Sequence, residues 1–364
     1  MKIQDVIKII EQTAPPSYQE NYDNAGLQVG NSADELKGVL ICLDSTEEII
    51  DEAIRKKCNM VLAHHPIIFS EIKKISHADY VGRVIIKAIQ NNIAIYAAHT
   101  NLDNVYYGVN KKICDTLGLT NCKILAPKKL FLKKLVTFCP ADHAEKVRTA
   151  IFAAGAGNIG NYSECSFNAQ GTGTFKAGSE TNPFVGKQGE RHSENEIRME
   201  IIFEAVNQQQ VLNALFETHP YEEAAYDIYP LENISQNTGS GMIGTLEKEM
   251  DEQNFLSLIK TRMKTQCIKH TRLTGKKVNK VAVCGGAGSF LLCDAIVQQA
   301  QFFISSDFKY HQFFDAGNKI VIADIGHYES EQFTKQLFYD LLKDKIPTFA
   351  LHLSETVTNP VNCY

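Results

Sequence analysis

The first third of the chain alternates short, wholly apolar runs with amphipathic stretches of helical period. Helical spacing over 2–12, 47–57, 80–91 and 108–117 separates the runs GVLICLD (38–44), MVLAHH (60–65) and IAIYAAHT (93–100). Apolar runs punctuated by helices predict strand–helix–strand units and a mainly parallel sheet. The last third repeats the pattern. Helices are expected over 251–263, 290–299 and 328–342, and strands at KVAVCGG (280–286), FFISSD (302–307) and KIVIADIG (319–326), before a final apolar stretch IPTFALHL.

The middle differs. KKLVTFCPADHAEKVRTAIFAAGAG reads as strand then helix, the Gly, Ser and Asn-rich stretch 155–190 as hairpins and loops, and EIRMEIIFEAVNQQQVLNALFETHP as strand then helix again. That order suits a small ferredoxin-like α+β domain. The expected organisation is a discontinuous α/β domain built from 1–128 and 236–364, interrupted by an inserted domain at 129–235. PLENISQNTGSGMIG is read as its polar, Gly-rich return linker.

Composition adds boundaries to this picture. A chain of 364 residues exceeds the roughly 100–200 of a single domain, and 44% hydrophobic with 22% charged residues is ordinary for a folded soluble protein. The net charge of -5 gives no electrostatic reason to expect nucleic acid or an anionic membrane as partner; PKKLFLKK (127–134) is read as the solvated edge of a linker. No stretch approaches the roughly 18 apolar residues of a membrane span, and no secretion signal is visible. The ten cysteines include no CxxC pair and read as reduced core residues of a cytoplasmic protein.

The chemistry collects where strands end. In open α/β sheets ligands bind outside the carboxyl ends of the strands, and three such ends carry metal-ligating side chains. LAHHPIIF supplies His64 and His65, AAHTNLD supplies His99 and Asp103, and DIGHYESE supplies His327 and Glu331, which share one helical face at i and i+4. Clustered imidazole and carboxylate is a ligand set for Zn, Fe, Mn or Co, and the lack of cysteine ligands sets it apart from a closed structural zinc site. Five or six ligands exceed what one tetrahedral ion needs, which favours two ions bridged by a carboxylate; the plainer alternative is one ion with spectators. Adjacent strand residues point in different directions, so His64 and His65 are expected to serve different ions, with Asp103 between them.

Four further segments carry candidate side chains. Asp44 ends a strand and either supports the site or belongs to a helix start, because Ser45 and Glu48 make an S-x-x-E capping box. CGGAGSF (284–290) reads as a tight turn in preference to a phosphate loop, since it matches neither GxGxxG nor a Walker sequence. His219, Glu222 and Glu223 are read as part of a helix start at Pro220. Asp307, Lys309 and His311 follow another strand, and one or more of them is expected to border the site.

The segments NYDNAGLQVG (21–30), LAHHPIIF, HTNLDN (99–104), VCGGAGS (283–289) and DIGHYESE (324–331) resemble, in order, the motifs of the dinuclear-metal family of GTP cyclohydrolase 1 type 2 homologues, also called NGG-interacting-factor-like proteins. GAGNIGNYSECSF, GTGTF and HPYEEAAYDIYPLEN resemble the PII- and CutA-like insert of the longer bacterial members. The resemblance covers nearly the whole chain. It implies metal ligands at His64, His65, Asp103, His327 and Glu331, with Asp103 as bridge and His99 beside the site; His99 or a nearby carboxylate is expected to move protons. One departure is Tyr22, where many members have Trp.

The resemblance further implies two divalent ions, zinc before iron, manganese or cobalt, and a homohexameric ring whose metal sites face an internal cavity. The expected function is metal-dependent hydrolysis of a small molecule, with a nucleotide as candidate substrate. A second reading is a non-enzymatic metal-holding assembly that senses a ligand or partner through its insert.

Overall fold

The strand Met60–Ala63 is buried at every position and pairs in parallel with Val39–Ile41 on one side and Ala94–Ala97 on the other. A strand covered on both faces has no solvent side, which is why its sequence is a continuous apolar run. It lies at the centre of a five-stranded sheet ordered Gly26–Val29, Ala94–Ala97, Met60–Ala63, Val39–Ile41, Leu351–Leu353. Only the edge strand Gly26–Val29 runs antiparallel in it. The computed structural model describes residues 1–129 and 131–363; Leu130, inside the basic stretch read as a linker edge, lies outside them.

The chain divides into two compact units, Met1–Pro127 with Asn237–Tyr364, and Lys128–Gln236. The first unit holds a second, six-stranded sheet ordered Lys269–His270, Val321–Asp324, Phe302–Ser305, Lys277–Val283, Gly239–Asp251, Leu119–Pro127. Its central pairings, Lys277–Val283 with Phe302–Ser305 and Phe302–Ser305 with Val321–Asp324, are parallel, and its three flanking pairings are antiparallel. Amphipathic helices cover the sheets: Glu47–Arg55 and Tyr80–Gln90 bury Ile49, Ile50, Val84 and Ile85 against Leu40, Val61 and Ile95. The other sheet packs Ala282, Phe303 and Ile322 against Leu292 and Ala295.

Several expected elements change. Residues Gly239–Gly244 of the return linker begin a 13-residue strand, Gly239–Asp251, that pairs on both sides. The helix expected over 328–342 is two, His327–Glu331 and Thr334–Lys345. The cap of helix Glu47–Arg55 is Thr46, whose hydroxyl accepts from Ile49 N, and not Ser45. No helix starts at Pro220: His219 caps the end of helix Gln208–Thr218, its Nε2 on Phe138 O and its Nδ1 accepting from Tyr221 N.

The second unit is a four-stranded antiparallel sheet ordered Phe167–Lys176, Arg191–Glu204, Leu132–Pro140, Tyr226–Leu231. With helices Ala144–Ala153 and Gln208–Thr218 it follows the β-α-β-β-α-β order of a ferredoxin-like fold. The helices contribute Val147, Ile151, Val211 and Leu215 to a core with Leu135, Met199, Ile201 and Phe203. Among the described residues no helix is long and apolar enough to cross a membrane.

Candidate metal centre

The main chain turns as soon as Met60–Ala63 ends. The amides of His64 and His65 both donate to Leu43 O, at 3.1 and 3.0 Å. Two consecutive amides meeting one carbonyl break the strand, so the two rings leave it in different directions, 4.9 Å apart between centroids and tilted by 44°. Each ring is then fixed by its Nδ1. His64 Nδ1 lies 2.8 Å from Ala98 O, and His65 Nδ1 lies 2.7 Å from Asp44 Oδ1. His327, first residue of its short helix, has Nδ1 2.5 Å from Asp307 Oδ2. In every case Nε2 is left for a ligand, the arrangement by which an outer hydrogen bond sets tautomer and ring orientation in metal sites.

These Nε2 atoms converge on Glu331. Its Oε1 lies 3.7 Å from His64 Nε2, while its Oε2 lies 2.9 Å from His65 Nε2 and 3.2 Å from His327 Nε2. His65 and His327 are 3.3 Å apart at Nε2. Asp103 Oδ1 sits 3.7 Å from His64 Nε2. Thus one buried carboxylate faces both imidazole groups with different oxygens, and the second carboxylate stands beside His64 Nε2. His64, His65 and Glu331 each offer an atom within 4.8 Å of the others.

The donor set fits a cation. His64 Nε2 and Asp103 Oδ1 are buried and have no hydrogen-bond partner. A buried polar atom left unpaired costs roughly 1–3 kcal/mol, so two facing each other across a gap too long for a hydrogen bond are candidate donors to a cation. The protonation pattern speaks the same way. Burial and the charge of Glu331 push Asp103 up to about 8. Burial opposes charge on His65 and His327, yet the carboxylates Asp44 and Asp307, with Glu331, outweigh it and lift them to about 10 and about 11. The surrounding carboxylates thus favour positive charge at this spot.

His99 stands beside this cluster, its ring 5.4 Å from His64 and 5.5 Å from His65. Its Nδ1 lies 2.7 Å from Asp23 Oδ1, and the other oxygen of Asp23 accepts from the amide and hydroxyl of Thr100. Burial works against the charge of Asp23, but these donors hold its carboxyl down to about 2.

The surrounding cavity measures about 630 Å³ and is lined by all of the predicted residues except fully buried His64. Asp44 and Asp307 line it; Lys309 and His311 are not among its lining residues. CGGAGSF is a tight turn whose amides are used internally, Gly285 N on Asn110 Oδ1, Gly286 N on Ser330 Oγ and Gly288 N on Ser305 Oγ. Reasoning from sequence gave no role to Asp23 or Thr358. Asp23 lies in a polar turn with no periodic signal, and Thr358 reaches Asp44 across 314 residues of chain.

Comparison with known proteins extends to the whole chain. The profile of the family described as Duf34/NIF3 (NGG1p interacting factor 3) matches residues 1–360. The chain is 38% identical to a Bacillus subtilis protein named GTP cyclohydrolase 1 type 2 homolog, over 98% of this chain and 97% of that one. It is 40% identical to a Halalkalibacterium halodurans protein of the same name, with the same coverage. Among solved structures, a Bacillus cereus protein related to NIF3 superposes with a TM-score of 0.88 at 37% identity, covering 100% of this chain and 99% of that one. With fold, motif order and whole-length similarity in agreement, the chain belongs to the Duf34/NIF3 family.

Proposed function

We propose that the protein is a dinuclear-metal hydrolase acting on a small molecule, with a nucleotide as candidate substrate. The observation that carries this reading is the buried, unpaired couple of His64 Nε2 and Asp103 Oδ1 beside a carboxylate, Glu331, that faces two separate imidazole groups. His64, Asp103 and Glu331 would hold one ion, and His65, His327 and Glu331 the other. Zinc is the first candidate, with iron, manganese and cobalt suited to the same donors. Divalent ions held in this way supply Lewis acidity and acidify a water toward neutral pH.

The chain's own residues do the rest. Asp44, Asp307 and Ala98 O orient the three imidazoles. Asp23 engages Nδ1 of His99 and leaves its Nε2 to take up and return a proton at the cavity. Tyr22, Phe69, Phe290 and Tyr328 give the cavity aromatic walls. The names of the relatives point to GTP as a first substrate to try. The family resemblance also supports a homohexameric ring, which light scattering on the purified protein tests directly. Ten free cysteines support a cytoplasmic location.

The deciding experiment assays metal-replete protein against GTP and a panel of phosphoesters, with His64→Ala alongside. Turnover by the parent protein that disappears in the variant is the expected result. Turnover that survives His64→Ala removes the metal centre from the mechanism.

A further inference from the structure

The unit Lys128–Gln236 holds a cavity of its own, about 590 Å³ in volume, and every residue lining it belongs to that unit. Strand Arg191–Glu204 sends Met199, Ile201 and Phe203 to the core shared with the helices. By alternation Glu196 and Arg198 leave the other face of the sheet, where both line the cavity.

The space beside Glu196 is kept clear. Gly171 is its register partner on strand Phe167–Lys176, and a Cβ at Gly171 would meet nothing within 4 Å. A Cβ at Gly173 would come 2.1 Å from Glu196 Oε2. Neither glycine has a positive φ, so the backbone does not require glycine at either position. Glycine inside a strand forfeits side-chain packing, and here the forfeited volume lies against a carboxylate.

That carboxylate has no cation of its own. Glu196 Oε1 accepts from the Tyr221 hydroxyl at 2.9 Å. Among the described residues no lysine, arginine or histidine stands within ion-pair distance of it: Lys134 and Arg198 pair with Glu200 at 2.9 and 3.0 Å, and His192 with Glu194 at 2.9 Å. His219 is the histidine that feels its charge, but burial keeps that ring neutral, with Nδ1 accepting from Tyr221 N. The lining carries three carboxylates, Glu196, Glu222 and Glu223, against Lys176 and the already paired Arg198. These carboxylates do not converge on a metal position; among the described residues the grouping close enough for one is His64, His65 and Glu331.

Aromatic rings surround the same space. Tyr221 lies 6.1 Å from Phe175 and 6.3 Å from Phe184 between centroids, tilted by 58° and 48°. All three line the cavity, and Phe184 is 52% exposed, so its ring is not spent on a core. Tilted rings beside a carboxylate attract a cation through their faces and accept an apolar body between them.

We propose that this cavity binds an organic ammonium compound, its charged head at Glu196 over Gly171 and its apolar body among Phe175, Phe184 and Tyr221. The site is separate from the metal centre, and its test does not depend on the hydrolase reading.

The test titrates full-length protein calorimetrically with three probes of one shape, 2-phenylethylamine, 2-phenylethanol and 3-phenylpropanoate. The amine should bind at least tenfold more tightly than the alcohol, and the propanoate most weakly. Glu196→Gln, which keeps an acceptor for Tyr221, should bring amine and alcohol level, and Phe184→Ala should weaken both. Gly171→Val should keep the urea midpoint of the parent protein, since its side chain meets open space, and lose amine binding. No binding of the amine at millimolar concentration, the alcohol or propanoate binding as tightly to the parent protein, or a preference that survives Glu196→Gln overturns the proposal. The Glu196→Gln comparison decides the matter even where Gly171→Val fails to fold.

Discussion

His65 and Asp44 stand 2.7 Å apart, Nδ1 to Oδ1, and the second carboxylate oxygen of Asp44 accepts a hydrogen bond from the Thr358 hydroxyl at 2.5 Å. Asp44 therefore ties an imidazole of the candidate metal cluster to the strand-following segment near the end of the chain. Asn359 makes a second tie, its amide donating to Glu329 at 3.0 Å.

Outer hydrogen-bond partners of ligating histidines are worth about 10- to 100-fold in metal affinity. Asp44→Asn should cost that much at the ion served by His65 while the fold is retained, and Thr358→Val should cost less because it frees only one oxygen. Competition against a chromophoric chelator measures both. An Asp44→Asn protein with parental affinity at both ions would mean that Asp44 serves only to hold the C-terminal segment.

The two oxygens of Glu331 face different imidazoles, so its loss should differ in kind from the loss of one histidine. Glu331→Gln should empty both metal positions, whereas His64→Ala and His327→Ala should each empty one. Native mass spectrometry of freshly purified protein counts the ions. Two ions retained in Glu331→Gln would return the bridging role to Asp103, and a maximum of one ion in the parent protein would leave His327 a spectator.

Much of the site could be read from sequence because its residues follow apolar runs that only a buried parallel strand explains. His64, His65 and His99 come directly after such runs, and Asp307 and His327 do the same in the second half of the chain. The strand Gly239–Asp251 was hidden for a physical reason. It opens GSG, which reads as a linker, but a Cβ at Gly239 would come within 2.4 Å of Ala126 O, so the glycine marks a close approach of two backbones. Asp23 was hidden differently: its place under His99 is set by tertiary contacts, and nothing in a polar turn announces them. The shift of the helix cap from Ser45 to Thr46 moves a boundary by one residue and leaves the helix unchanged.

Glu52 provides a prediction about pH. Its buried carboxylate accepts from the amides of Glu355 and Thr356 and the hydroxyls of Ser354 and Thr356, and it pairs with Lys56 at 3.0 Å. Burial opposes its charge, but these donors bring its carboxyl from 4.5 down to about 2. The folded value lies below the unfolded one, so the stabilising contribution is complete above about pH 4.5 and fades as pH falls toward 2. Charge-assisted hydrogen bonds of this kind contribute about 1.5–3 kcal/mol. Glu52→Gln should therefore lower the urea midpoint at pH 7 by an amount that shrinks as pH falls below 4.5; a difference independent of pH would place the effect in packing alone.

The last prediction concerns room for the ligand carboxylate. Gly286 has φ +61°, and a Cβ there would lie 2.5 Å from Glu331 Oε1 and 3.4 Å from His327 Cε1. The left-handed backbone alone costs a non-glycine residue roughly 1–2 kcal/mol, a tolerable loss for a domain of this size. The displacement of Glu331 is more serious, since that carboxylate faces every predicted imidazole ligand. Gly286→Ala should therefore leave a folded protein, with far-ultraviolet circular dichroism like the parent's, whose metal content falls to a small fraction under the same purification. Had the turn been an anion loop, the same substitution would weaken anion binding and spare the metal. Measuring metal content and phosphate affinity on one preparation separates the two, and the contact with Oε1 commits the structure to loss of metal first.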